Sequence, residues 1–134
     1  KIDIIGHSMG VTLGAKAIRD LGKVSKVDAF VGIAGALRGL WSCGRYPYHV
    51  RNRTCGKYGL SVSSPLLDGL KGKKFGKRHR AIYSWYDAIV CSTGTCTVGG
   101  THSSRIWNGR NYSRSYGHFG LQKYTSSLQH KLIK

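Results

Sequence analysis

Apolar residues run along the chain in two rhythms. Ile2-Asp3-Ile4-Ile5 is a short, nearly continuous apolar run and predicts a buried strand. From Val11 to Leu21 the apolar positions adopt helical spacing, with Val11, Ala15, Ile18 and Leu21 on one face. Lys16, Arg19, Asp20 and Lys23 fall mostly on the other face, and Gly22 is placed to cap the helix. Val27 to Ala34 is apolar almost throughout, as suits a parallel strand covered on both sides. Strand, helix and strand within about 35 residues form a βαβ unit with a right-handed crossover.

Beyond Gly35 the pattern loosens. Residues 35–80 are rich in Gly, Ser and Tyr and predict an irregular excursion over the top of the sheet. Within it, Ser64-Pro65 opens a short helix, with Ser64 as cap and Pro65 in the first position. Ala81 to Tyr86 reads as a third strand, and Asn108-Gly109 as a tight turn joining a small hairpin. Leu121, Tyr124, Leu128 and Leu132 predict a terminal helix. The fold class is therefore α/β, a parallel sheet with flanking helices, and residues 1–134 are expected to form one domain. Because Lys1 stands almost directly on a core strand, the expectation is a C-terminal fragment whose N-terminal strands are missing.

Gly6-His7-Ser8-Met9-Gly10 sits between the first strand and the first helix. Strand, G-x-S-x-G and helix is the setting of a nucleophile elbow, which projects a serine hydroxyl at the N-terminus of a helix. A tight turn there predicts crowding at both Gly6 and Gly10. The Met9 N–H is placed to meet a developing oxyanion.

A serine hydroxyl needs a base to take its proton, and the base needs an acid behind it. Of the five acidic residues, all Asp, Asp3 precedes the serine and Asp20 faces solvent. Asp28 begins its strand, at the wrong end of the sheet. Asp87 follows the third strand and emerges where Ser8 emerges, so it is preferred to Asp68, which lies in the excursion. Among the later histidines, His118 in the glycine-flanked loop Gly117-His118-Phe119-Gly120 is preferred. His102 could face solvent from its own Gly- and Ser-rich loop, and His130 reads as a surface residue of the terminal helix.

Ser8 in Gly-His-Ser-Met-Gly, Asp87 in Trp-Tyr-Asp-Ala-Ile-Val and His118 in Gly-His-Phe-Gly-Leu together resemble the secreted bacterial lipases and esterases of the α/β-hydrolase superfamily. The resemblance covers nearly the whole chain and implies a partial α/β-hydrolase fold. It implies hydrolysis of carboxylic esters of lipids or small molecules through an acyl-enzyme, without cofactor or metal. Ser8 is then the nucleophile, His118 the general base and acid, and Asp87 the residue that orients it. Family members carry strands before the elbow and a second oxyanion donor on a loop there. The expected partner is accordingly a missing N-terminal segment of the same protein, with Met9 the one donor present. Leu37, Leu40, Trp41, Tyr46 and Tyr48 of the excursion are expected to shape an apolar acyl pocket.

Charge and cysteines refine this picture. The chain carries 22 Lys plus Arg against 5 acids, a net charge of +17, which favours peripheral contact with anionic lipid surfaces. One basic cluster stands out, at Lys71, Lys73, Lys74, Lys77, Arg78 and Arg80. No zinc-finger, RNA-binding or helix-turn-helix pattern accompanies it, so it reads as a solvated face and no specific nucleic-acid partner is expected. A non-catalytic cationic module with a hydrolase outline, binding anionic surfaces or nucleic acid, is the alternative. The four cysteines form two local pairs, Cys43 with Cys55 and Cys91 with Cys96, without zinc spacing. They predict two disulfides and secretion, although four cysteines permit three pairings. Asn52-Arg53-Thr54 and Asn111-Tyr112-Ser113 match glycosylation acceptors.

Overall fold

The computed structural model describes all of residues 1–134. Its elements are β1 (Ile2–His7), α1 (Met9–Asp20), β2 (Val27–Ile33), β3 (Leu40–Arg45), β4 (Tyr48–His49), β5 (Ser61–Val62) and α2 (Pro65–Leu70). There follow β6 (Arg78–Tyr83), β7 (Thr97–Val98), β8 (Thr101–His102), β9 (Arg110–Ser113), α3 (His118–Lys123) and α4 (Ser126–Ile133). The main sheet has the order β1-β2-β6-β9, and all three pairings are parallel.

Side-chain alternation in β2 explains why this sheet is covered on both faces. Phe30 points toward α1 and joins Val11, Ala15 and Ile18 in a cluster that also takes in Phe75 and Ile106. Val31 and Ile33 point the other way and meet Leu121 of α3 and Leu132 of α4. Phe30 is wholly buried, and truncating such a side chain costs about 3–5 kcal/mol. Helices on both faces of a parallel sheet are the α/β architecture that the hydropathy pattern predicts.

Several local expectations need correction. β1 is an edge strand with Ile2 and Ile5 exposed, because its outer flank meets no other element. Leu21 is exposed as well, since the helix closes there: Lys23 N–H bonds the Ile18 carbonyl, Gly22 N–H bonds the Arg19 carbonyl, and Gly22 takes a φ of 64°. The third strand begins at Arg78 rather than Ala81, and Ser84 to Tyr86 turn away from it. The hairpin turn is Gly99-Gly100, between β7 and β8. Asn108-Gly109 instead leads into β9, which pairs in parallel with β6. The tail is two helices, broken where the Thr125 hydroxyl bonds the Leu121 carbonyl, and Tyr124 is exposed.

The 35–80 excursion is more ordered than its composition suggests. It holds a small sheet in the order β4-β3-β5 and the helix α2. Ser64 caps α2 by accepting a hydrogen bond from Leu67 N–H, and Pro65 is its first residue. Disulfides join Cys43 to Cys55 and Cys91 to Cys96. No helix is long and apolar enough to cross a membrane.

His79 is the unusual member of the core. It is 1% exposed, lies edge-on to Phe30 and Phe75, and neither ring nitrogen has a hydrogen-bond partner. Burial is the main cause of a pKa lowered to about 4; the Trp107 backbone pulls the other way without completing a hydrogen bond, and Lys74 and Arg80 add to the lowering. As pH falls from 6.5 the unfolded imidazole takes up its proton first, so the fold loses stability down to about pH 4. The loss totals about 3 kcal/mol at most. His79→Leu should therefore flatten the decline of stability between pH 6.5 and 4 in urea unfolding. An unchanged slope in that window would contradict the assignment.

Candidate active site

The carboxyl ends of β1 and β6 and the start of α3 converge on one point. Ser8 occupies the single residue between β1 and α1, with φ 58° and ψ −126°. This is a costly conformation for a residue with a side chain. Two backbone hydrogen bonds hold it: Ser8 N–H donates 2.9 Å to the Ile33 carbonyl, and the Ser8 carbonyl accepts from Val11 N–H. A Cβ on Gly6 would lie 2.9 Å from the Gly10 carbonyl oxygen, so the strand can approach the helix only through glycine there. Gly10 does not share the constraint, because a Cβ at that position meets nothing within 4 Å. Met9 opens α1, so its N–H has no partner inside the helix.

His118 is the first residue of α3 and not part of the loop before it. Its Nε2 lies 2.9 Å from Ser8 Oγ, and its Nδ1 lies 2.9 Å from both carboxylate oxygens of Asp87. The Asp87 side chain is fully buried. Burial pushes its pKa up, but hydrogen bonds from His118 and from the Val90 and Ile89 N–H groups outweigh that and hold it below the usual carboxylate range. Asp87 therefore stays ionised, and an anion at Nδ1 favours the tautomer that leaves Nε2 free to accept from the serine. Asp3, Asp20 and Asp28 stand elsewhere: Asp3 accepts from Ala29 N–H, Asp20 pairs with Lys16, and Asp28 pairs with Arg78. Asp68 is exposed on α2.

His102 does not face solvent. It is 1% exposed, packed between Tyr83 and Trp85. Its Nε2–H donates to the Ser84 carbonyl and its Nδ1 accepts from Ser104 N–H, which fixes the tautomer. Burial lowers its pKa, against the Ser84 bond and the Asp87 charge, and Arg105 adds to the lowering. Its ring braces the turn that carries Asp87. Cys91, Cys96 and His102 lie within 4.8 Å of one another, but the sulfurs are bonded together and both ring nitrogens are engaged. His130 is exposed on α4.

A class 2 lipase family model matches residues 1–131. The chain belongs to that family. A search of curated proteins gave no match. At the level of the family, the class 2 lipase is a hydrolase of lipase or esterase type.

The expected acyl-pocket residues do not meet in one place. Leu37 belongs to the main core and lines a cavity beside α2, while Leu40 packs with Cys43, Leu60 and Val90. Trp41 donates its Nε1–H to the Thr97 carbonyl, and Tyr46 stacks on His49. Tyr48 is 91% exposed.

His7 is a contributor that the sequence reading missed. Its Nε2–H donates 3.0 Å to the His118 carbonyl, and its ring lies 5.0 Å from the His118 ring. It tethers α3 to the serine turn. Its place inside the G-x-S-x-G pattern was the available signal.

The two glycines provide the check on this turn. Gly6→Ala should cost about 1–3 kcal/mol. Gly10→Ala should be neutral or stabilising by up to about 1 kcal/mol through helix propensity. Thermal unfolding of the two variants measures the contrast, and equal effects would refute the one-sided crowding.

Proposed function

We propose that the chain is a secreted serine carboxylic-ester hydrolase of α/β-hydrolase type, acting through an acyl-enzyme. The observation that carries this reading is the unbroken hydrogen-bonded line from Ser8 Oγ through His118 to Asp87, 2.9 Å at each step. His118 Nε2 takes the hydroxyl proton as Ser8 Oγ attacks the ester carbonyl carbon. Asp87 remains an anion and stabilises the imidazolium. The carbonyl oxygen becomes an oxyanion near the Met9 N–H, an interaction stronger in the transition state than in the ground state. The tetrahedral species collapses, the alkoxide leaves with the proton from Nε2, and an acyl group stays on Ser8. Water then repeats the sequence: His118 takes its proton, the acid is released and the Ser8 hydroxyl is restored.

Two further features support the assignment. Trp85, Tyr86 and Ile89 flank Asp87 in sequence, Phe119 follows His118, and all four are exposed. An apolar rim of this kind suits a lipid or ester interface, and the excess of positive charge favours an anionic one. Two disulfides fit an oxidising, extracellular setting.

A serine-directed phosphonate should label Ser8 and abolish turnover of a p-nitrophenyl ester. Ser8→Ala should lower turnover on the order of 10⁶-fold, and Asp87→Asn on the order of 10⁴-fold, with folding unchanged. An unlabelled Ser8 and turnover unaffected by these substitutions would favour the non-catalytic cationic module instead.

A further inference from the structure

A cavity of about 220 Å³ opens beside α2, and none of Ser8, Asp87 and His118 lines it. Leu37, Val62, Leu67 and Val98 supply its apolar lining. Its lining also includes Arg38, stacked over Trp107 at 4.4 Å, and Lys71 at the exposed end of α2. The Arg38 Nε–H donates 3.3 Å to the Arg105 carbonyl, and no other side-chain hydrogen bond engages that guanidinium. The ion pairs of the molecule are Lys16–Asp20, Arg78–Asp28 and His118–Asp87, so neither Arg38 nor Lys71 has an acidic partner.

This arrangement is unfavourable as it stands. A half-buried guanidinium is ordinarily paired with an acid, because desolvating a charge without a counter-charge is costly. Burial moves the Arg38 pKa downward, and the nearby positive charge of Arg105 adds to the lowering. The Ser63 hydroxyl, also in the lining, accepts from Arg45 and makes no hydrogen bond to Arg38. An anionic group bound from solution would satisfy the free guanidinium nitrogens, with Lys71 close by. The apolar wall requires that the anion carry a hydrocarbon tail.

We infer that this cavity is a binding site for a small amphiphilic anion, its head group held by Arg38 and Lys71 and its alkyl chain laid against Leu37, Val62, Leu67 and Val98. A short alkyl carboxylate has this chemistry, and so does an alkyl phosphate or sulfate. The site is separate from the serine and does not depend on the hydrolase reading.

Calorimetric titration of the full chain tests it with sodium octanoate, octyl phosphate, octanol and inorganic phosphate, each below its aggregation limit. The same titrations in Ser8→Ala remove any contribution from turnover, so the outcome stands whether or not the chain hydrolyses esters. Octanoate and octyl phosphate should bind at least tenfold more tightly than octanol or inorganic phosphate. Arg38→Met should weaken octanoate at least tenfold, and Lys71→Met a few-fold. Val98→Asp supplies an internal carboxylate and should abolish binding, so that the inference stays testable if Arg38→Met fails to fold. Equal binding of octanol, inorganic phosphate as tight as octanoate, or octanoate binding untouched by Arg38→Met and Val98→Asp would each overturn it.

Discussion

Parallel pairing of four strand ends at three seams is the constraint on which the rest of the structure depends. Just beyond the sheet, the backbone lacing continues by one step at each seam. Ser8 N–H bonds the Ile33 carbonyl, Ala34 N–H bonds the Ile82 carbonyl, and Arg114 N–H bonds the Tyr83 carbonyl. Each such bond contributes only about 1 kcal/mol net, so their importance is positional. They fix where β1, β2, β6 and β9 stop, and hence where the serine turn and the Asp87 turn start. The strained backbone of Ser8 is tolerable only because both sides of it are anchored in this way.

Much of this was legible in the sequence, for a physical reason. A parallel strand buried on both faces has to be apolar throughout, and a helix packed on it has to be apolar on one side, so β2 and α1 announced themselves. Position relative to strand ends separated Asp87 from the other acids, while His118 was preferred for a glycine-flanked loop that proves to be the start of a helix. Other features stayed hidden because they are tertiary. The apolar run Ile2 to Ile5 reads as buried, and its exposed flank follows only from the expectation that no strand lies beside it, since nothing in those residues encodes a neighbour. Burial of His102 depends on Tyr83 and Trp85 closing around it, and the ring looks polar in sequence although both nitrogens are satisfied locally. The Leu121 to Leu132 spacing is compatible with one helix or two; a side-chain hydrogen bond from Thr125 marks the break. The 35–80 excursion hid its three short strands because two of them are only two residues long.

Charge follows a different logic from the core. Among the many Lys and Arg side chains, only Lys16 and Arg78 reach a carboxylate. The chain's cationic character is therefore expressed outward as a field and is not neutralised within the fold. The basic cluster lies at the amino ends of the strands, where Arg78 begins β6, while Ser8 lies at the carboxyl end of β1.

The turn that holds Asp87 has its own closure. The carboxylate accepts from the Ile89 and Val90 N–H groups, the Asp87 carbonyl accepts from Cys91 N–H, and Cys91 is bonded to Cys96. The covalent link therefore begins at the residue where the hydrogen-bonded turn ends. Rigidity at the acid is thereby coupled to the oxidation state of the surroundings. In a reducing medium the parallel sheet would keep its pairing, while the turn would depend on its hydrogen bonds alone. One covalent bond thus closes the short segment whose carboxylate meets the His118 ring.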